Sequence, residues 1–383
     1  MSVTAAAGFR AAGVAAGLKA SGGPDVALVV NDGPLDAAAG VLTGNRVKAA
    51  PVVWTQQVLG TGRLSAVVLN SGGANACTGP DGFADTHATA EATAAALGLG
   101  AIDVAVCSTG LIGDRLPMRL LLPGVDKAAA ALAGTGGDDA ARAIMTTDSV
   151  PKTAVVAGAG WTVGGMAKGA GMLAPGLATM LCVLTTDAVV DAAGCDTALR
   201  AATARTFDRV DSDGCMSTND TVLLLASGAS GVTPDPAAFA AAVEQLCADL
   251  CRQLLTDAEG ATKDVAIEVV GAAGDADAVE VGRAVARSNL LKCAFFGNDP
   301  NWGRVLAAVG ATRAAFDPDA LDVAINGVQV CRGGAAGEPR DLVDLTGRDI
   351  HVLIDLHAGP ATATVWTNDL SLAYVHENSA YSS

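Results

Sequence analysis

The chain has 383 residues, with 24 Lys and Arg against 40 Asp and Glu, and the formal charge of −16 excludes a binder that relies on nucleic-acid phosphates. Hydrophobic residues make up 51% and charged ones 17%, which suits a globular protein with a large core and excludes a disordered chain. Aromatic residues are only 3% while Gly numbers 46, so the core is expected to be aliphatic and closely packed, without stacking platforms for bases.

In chain order, residues 1–21 hold an Ala/Gly run between Arg10 and Lys19 that is too weakly apolar for a secretory signal. Strands are expected at 65–69 and 102–106 with an Ala-rich helix at 84–97 between them, so the first half reads α/β. Residues 153–173 are glycine-studded with β-branched residues between, and an apolar strand-like run at 180–185 follows the Pro175-Gly176 break. That break, with the glycines of 169–186, makes the longest uncharged stretch a poor membrane span. Helices are expected at 191–205, 237–256, 276–287 and 302–309, and strands at 265–270, 351–355 and 361–366. Within 321–330, Asn326-Gly327 marks a hairpin. A cytoplasmic location is the default expectation.

Nine scattered cysteines suggest no disulfide framework, and Cys247 and Cys251, one helical turn apart, are expected on a buried helix face. His87, His351, His357 and His376 show no zinc-ligand spacing, so no metal is expected. Dinucleotide fingerprints fail on spacing at Gly158-x-Gly160 and at Gly169-x-Gly171, which runs into Pro175. Aligning Asp211-Ser-Asp213-Gly214 with a calcium loop puts Arg209 at the first ligand position, and no phosphate-cradling G-x-x-x-x-G-K-[ST] occurs.

The segment Lys168-Gly-Ala-Gly-Met-Leu-Ala-Pro-Gly-Leu-Ala178-Thr179-Met-Leu-Cys182 brings a tight Gly/Pro bend to a small residue and a threonine at a strand start. It reads either as a plain β-turn or as a site of autoproteolysis. In the second reading a strained turn lets the Thr179 hydroxyl attack the preceding carbonyl, and hydrolysis of the ester frees the α-amine of Thr179. Such an amine titrates at roughly 7.7 to 8.0 and serves as base for its own hydroxyl. No histidine is then needed, which suits a chain whose histidines form no triad.

This segment resembles the processing site of the ornithine acetyltransferases, also called bifunctional arginine biosynthesis proteins. Further motifs agree in order along nearly the whole chain: Gly8-Phe-Arg-Ala-Ala-Gly-Val-Ala-Ala-Gly-Leu-Lys19, Asn45-Arg-Val-Lys-Ala-Ala-Pro51, Asn70-Ser-Gly-Gly-Ala-Asn-Ala-Cys-Thr-Gly79 and Cys107-Ser-Thr-Gly-Leu-Ile-Gly113. Then come Ile144-Met-Thr-Thr-Asp148, Ser217-Thr-Asn-Asp-Thr221, Glu259-Gly-Ala-Thr-Lys263, Phe296-Gly-Asn-Asp-Pro-Asn-Trp-Gly-Arg304 and Asn378-Ser-Ala-Tyr-Ser-Ser383. Gly73 and Gly44 depart from the family's usual Asn and Thr.

The resemblance implies an α/β layered sandwich like that of N-terminal-nucleophile hydrolases, with a smaller C-terminal lobe. It implies cleavage between Ala178 and Thr179 into fragments 1–178 and 179–383, assembled as a heterotetramer of two of each. Thr179 would be the nucleophile, with Thr109 and Gly110 forming the oxyanion hole and Thr146, Lys168, Thr179, Glu259, Asn378 and Ser383 binding substrate. Read singly, these residues leave plainer alternatives: a simple turn at Thr109-Gly110, a solvated pair for Lys168 and Glu259, a helix-terminal hydroxyl at Thr146, and a frayed tail for Asn378 and Ser383. The implied reaction moves acetyl from N2-acetyl-L-ornithine to L-glutamate by a ping-pong route. No cofactor is expected, and acetyl-CoA is a candidate co-substrate. Partners are the small-molecule substrates, with no nucleic acid and no membrane. An N-terminal-nucleophile aminopeptidase or amidohydrolase is the alternative, sharing the processing and passing the acyl group to water.

Overall fold

The computed structural model describes residues 2–174 and 180–380. The first half runs β1 (Phe9–Val14), β2 (Val26–Asn31), β3 (Ala37–Leu42), α1 (Ala50–Val58), β4 (Ala66–Ser71), α2 (Gly79–Leu97), β5 (Val104–Thr109), α3 (Met118–Ala130), α4 (Gly137–Ala143), β6 (Lys152–Ala157) and β7 (Thr162–Lys168). The second half runs β8 (Leu181–Thr186), α5 (Ala192–Arg205), β9 (Thr221–Ala226), α6 (Pro236–Thr256), β10 (Asp264–Ala272), α7 (Asp275–Ala286), α8 (Asn289–Phe296) and α9 (Trp302–Val309). It ends with β11 (Asp322–Ile325), β12 (Val328–Arg332), β13 (Ala335–Ala336), β14 (Asp349–Asp355), β15 (Ala361–Asn368) and α10 (Leu372–Ala380).

Among the described residues three sheets form, in the strand orders β1-β2-β4-β5, β3-β9-β8-β7-β6 and β13-β12-β11-β14-β10-β15. The second sheet is apolar on both faces, and its pleat sends alternate residues to different cores. Leu181, Val183, Leu223 and Leu225 join the first sheet in one cluster, whereas Cys182, Leu184, Val222 and Leu224 pack under α5 and α6 in another. With α2 and α3 on the first sheet, the body is a helix–sheet–sheet–helix sandwich, and the third sheet with α7 and α9 forms a separate core in the C-terminal lobe. The expected layered α/β sandwich with a smaller C-terminal lobe is therefore what the chain builds.

Local chemistry accounts for several of these elements. The helix α6 starts where the Asp235 side chain accepts from the Ala237 and Ala238 amides, with a proline in its first turn, and it buries Cys247 and Cys251 as expected. The hairpin of β11 and β12 turns at Asn326 (φ 45°) and Gly327 (φ 83°), both left-handed as a tight two-residue turn requires. Other boundaries differ from expectation. The run at 102–106 begins as a 3-10 turn, Ala101–Asp103, and becomes a strand only at Val104, continuing to Thr109. The run at 153–173 divides into β6 and β7 about a loop in which the Gly158 amide donates to the Trp161 carbonyl at 2.8 Å. Among the described residues no helix is long and apolar enough to cross a membrane.

Candidate active site

The strand β5 runs parallel to β4 at the edge of the first sheet, and α1 satisfies its outer side. Trp54 Nε1 donates to the Val104 carbonyl at 3.0 Å, and Thr55 Oγ1 donates to the Val106 carbonyl at 2.8 Å while accepting from the Val106 amide at 3.0 Å. The strand is thus fixed up to its carboxyl end, where the Gly73 amide donates to the Thr109 carbonyl at 3.0 Å. Gly110 follows at φ 134°, and a Cβ there would meet the Gly73 nitrogen at 2.5 Å, so only glycine fits this turn. Asn219 clamps the loop from below, its Nδ2 donating to the Ser108 carbonyl at 2.8 Å and the Ala74 carbonyl at 2.6 Å.

A cavity of about 110 Å³ opens above this turn, lined by Thr109, Gly110, Thr146, Lys168, Glu259 and Asn378 with residues 217–219. These positions come from six separate segments, and the fold gathers them. Lys168, at the end of β7, is 2% exposed, which removes the reading of Lys168 and Glu259 as a solvated pair. Its Nζ lies 3.4 Å from Thr109 Oγ1. An ammonium only donates, so Thr109 Oγ1 accepts and its own hydrogen is left to donate elsewhere. Asn378 sits inside α10 and donates from Nδ2 to Glu259 Oε2 at 3.0 Å, so it is not a frayed tail. Thr146 lies beyond the end of α4 and gives its amide to Asp148 Oδ2 at 3.0 Å.

Buried charge surrounds the cavity. Burial lowers the ammonium of Lys168 from its ordinary value, with Asp148 opposing that shift. Burial pushes Asp148 up, but the charges of Lys168 and Lys152 and the hydrogen bond from Lys152 outweigh it and hold the carboxyl at about 2. Asp220 goes the other way: burial pushes it well above the usual carboxylate range, against the hydrogen bonds it accepts from the Met180 amide and from Ser217. Its Oδ1 accepts from the Met180 amide at 3.0 Å, and the Met180 carbonyl accepts from the Thr221 amide at 3.0 Å. On the other side, the Leu173 carbonyl accepts from the Ser212 amide at 2.6 Å. The loop between α5 and β9 therefore holds the chain just before and just after 175–179.

Ala178 and Thr179, the Pro175-Gly176 break and Ser383 lie outside the described residues. Asp148, Asn219 and Asp220 stand in the motifs quoted from the sequence, yet nothing there assigns them roles. An Asp or Asn in a motif does not disclose whether its side chain turns inward.

The model of the ArgJ family matches residues 10–383. The arginine biosynthesis bifunctional protein ArgJ of Streptomyces avermitilis is 70% identical over 383 residues, all of both chains. That of Mycobacterium tuberculosis is 62% identical over 389 residues, all of this chain and 96% of the other. A crystal structure of ornithine acetyltransferase complexed with ornithine from Mycobacterium tuberculosis is 69% identical and covers 47% of this chain and 96% of its own, with a TM-score of 0.45. Matched in this way from end to end, the chain belongs to the ArgJ family.

Proposed function

We infer that the chain is an acetyltransferase of arginine biosynthesis, and we propose that it moves acetyl from N2-acetyl-L-ornithine to L-glutamate through an ester on Thr179. The convergence of Thr109, Gly110, Thr146, Lys168, Glu259 and Asn378 on one cavity carries this reading. Both substrates are amino acids with an α-carboxylate and a second polar end, and a cavity with a cation and an anion suits them. In the first half-reaction the Thr179 oxygen attacks the acetyl carbonyl, the carbon–nitrogen bond breaks, and ornithine leaves with the proton. Glutamate then takes the acetyl group by the reverse sequence. Thr109, with its hydrogen free to donate, and Gly110 support the oxyanion.

The nucleophile arises by self-cleavage between Ala178 and Thr179: Thr179 Oγ attacks the Ala178 carbonyl, the peptide nitrogen takes up a proton as the bond breaks, and water hydrolyses the ester. The chain is then fragments 1–178 and 179–383, two of each in the assembly. Acetyl-CoA with glutamate is the assay for a second donor.

On a denaturing gel the purified protein should give two bands and Thr179→Ala one; a Thr179→Ala chain still cut at that bond overturns the nucleophile. Double-reciprocal plots at several glutamate concentrations should be parallel, and acetylornithine alone should add one acetyl group to fragment 179–383. Intersecting plots with no acetylated fragment would mean direct transfer. Release of acetate at a comparable rate without glutamate would make the protein a hydrolase.

A further inference from the structure

The carboxylate of Asp148 joins two of the segments that build the cavity, Thr146 and the end of β7. Its Oδ2 accepts from the Thr146 amide at 3.0 Å and its Oδ1 from the Gly169 amide at 2.6 Å, while Lys168 Nζ lies 3.9 Å from Oδ2. Lys152, fully buried, donates from Nζ to Asp148 Oδ1 at 2.6 Å and to Asp257 Oδ2 at 2.5 Å. The result is a row of alternating charge, Asp257, Lys152, Asp148 and Lys168, buried except at the partly exposed Asp257 and ending 3.4 Å from Thr109 Oγ1.

A desolvated ammonium without a counter-charge tends to lose its proton. A neutral Lys168 would carry a lone pair, and the Thr109 hydrogen would be drawn towards it and away from the cavity. The charged or titratable groups that act on Lys168 are Asp148, Lys152, Asp220 and Glu259, with Lys19 also within reach. Burial disfavours the charge on Asp220, and Glu259 lines the cavity where substrate would meet it. Asp148 is the anion left to serve Lys168 throughout.

We propose that Asp148 is a positioning residue of the acetyl-transfer site, keeping Lys168 an ammonium and so aiming the Thr109 hydroxyl hydrogen into the cavity. The proposal rests on the acetyltransferase reading above. It is tested by kcat and KM for acetylornithine, with glutamate as acceptor, across neutral to alkaline pH, for wild type, Asp148→Asn and Lys152→Gln. Rates are expressed per processed chain counted on a denaturing gel.

Removing the anion should lower kcat by about 10-fold or more, with the roughly 100 to 1000-fold cost of a lost oxyanion donor as the ceiling. It should also move the alkaline limb of the kcat profile to lower pH, with a smaller change in KM. Removing the neighbouring cation should move the same limb to higher pH, and Asp148→Glu should restore part of the lost kcat. A purely structural role would lower the yield of folded chain without moving the limbs in opposite directions. Should Asp148→Asn fail to fold, the Lys152→Gln limb decides alone, an unmoved or lowered limb overturning the proposal. Limbs that stay in place while the wild type transfers acetyl overturn it and leave the acetyltransferase reading intact. A wild type that transfers no acetyl overturns that reading and the proposal with it.

Discussion

A threonine hydroxyl that accepts from an ammonium has one hydrogen left to give, and in the oxyanion role proposed for Thr109 that hydrogen is worth most when a carbonyl oxygen becomes charged. Thr109→Ala should therefore lower kcat by about 100 to 1000-fold and leave KM for acetylornithine nearly unchanged in steady-state assays. A raised KM at constant kcat would make Thr109 a ground-state binding residue. The buried charges also predict acid behaviour. Asp148 titrates at about 2 in the fold, below the roughly 3.9 of an unfolded aspartate, so the unfolded chain binds its proton more tightly. The stability it contributes is present above about pH 4 and lost as pH falls towards about 2, on the order of 2 kcal/mol. Urea unfolding should show the gap between wild type and Asp148→Asn narrowing from neutral pH to about pH 3. A constant gap would mean that Asp148 does not carry this titration.

The helix α10 has no buried residue, so its hold on the protein is local. Ser371 Oγ donates to the Gly260 carbonyl at 2.5 Å and accepts from the Tyr374 amide at 3.0 Å. Gly260 has φ 62°, and a Cβ there would lie 2.2 Å from the Tyr374 nitrogen. Gly260→Ala should push the start of α10 outward and take Asn378 off Glu259. Losing one hydrogen bond of about 1 kcal/mol should raise KM for acetylornithine by roughly 5 to 10-fold with a smaller effect on kcat; an unchanged KM would detach α10 from substrate binding. The helices α5, α6, α7 and α9 were legible in the sequence because their apolar residues recur at helical spacing, and α5 and α6 also open on capping aspartates. The strands β2 and β9 were not. Each is buried along its whole length, as β4, β5 and β8 also are, and for all five short runs without alternation periodicity alone leaves strand and helix open.

Across the whole molecule, the proposed cut falls between two strands that remain paired. β7 and β8 are antiparallel from Val163 opposite Thr186 to Lys168 opposite Leu181, and the clusters on either face of their sheet draw residues from both sides of the cut. Fragments 1–178 and 179–383 should therefore elute together in gel filtration and part only in denaturant, since separation would expose both cores. Independent elution in buffer would contradict that shared core. The cavity also depends on the C-terminal lobe: α10, which supplies Asn378, follows the last strand of the third sheet.

The sequence by itself determined the α/β class, the hairpin at Asn326-Gly327 and, through motifs in a fixed order, the family and the identities of six residues that line the cavity, Thr109, Gly110, Thr146, Lys168, Glu259 and Asn378. These depend on local periodicity, turn chemistry and residue identity, all of which are written along the chain. Only the tertiary structure decided that Lys168 is buried rather than solvated, that Asn378 belongs to a helix and contacts Glu259, and that Asp148, Asn219 and Asp220 brace the site. The partners in those contacts stand up to 145 residues apart along the chain. Burial and hydrogen bonding are set by what the folded chain brings near, and no local pattern of residues records that.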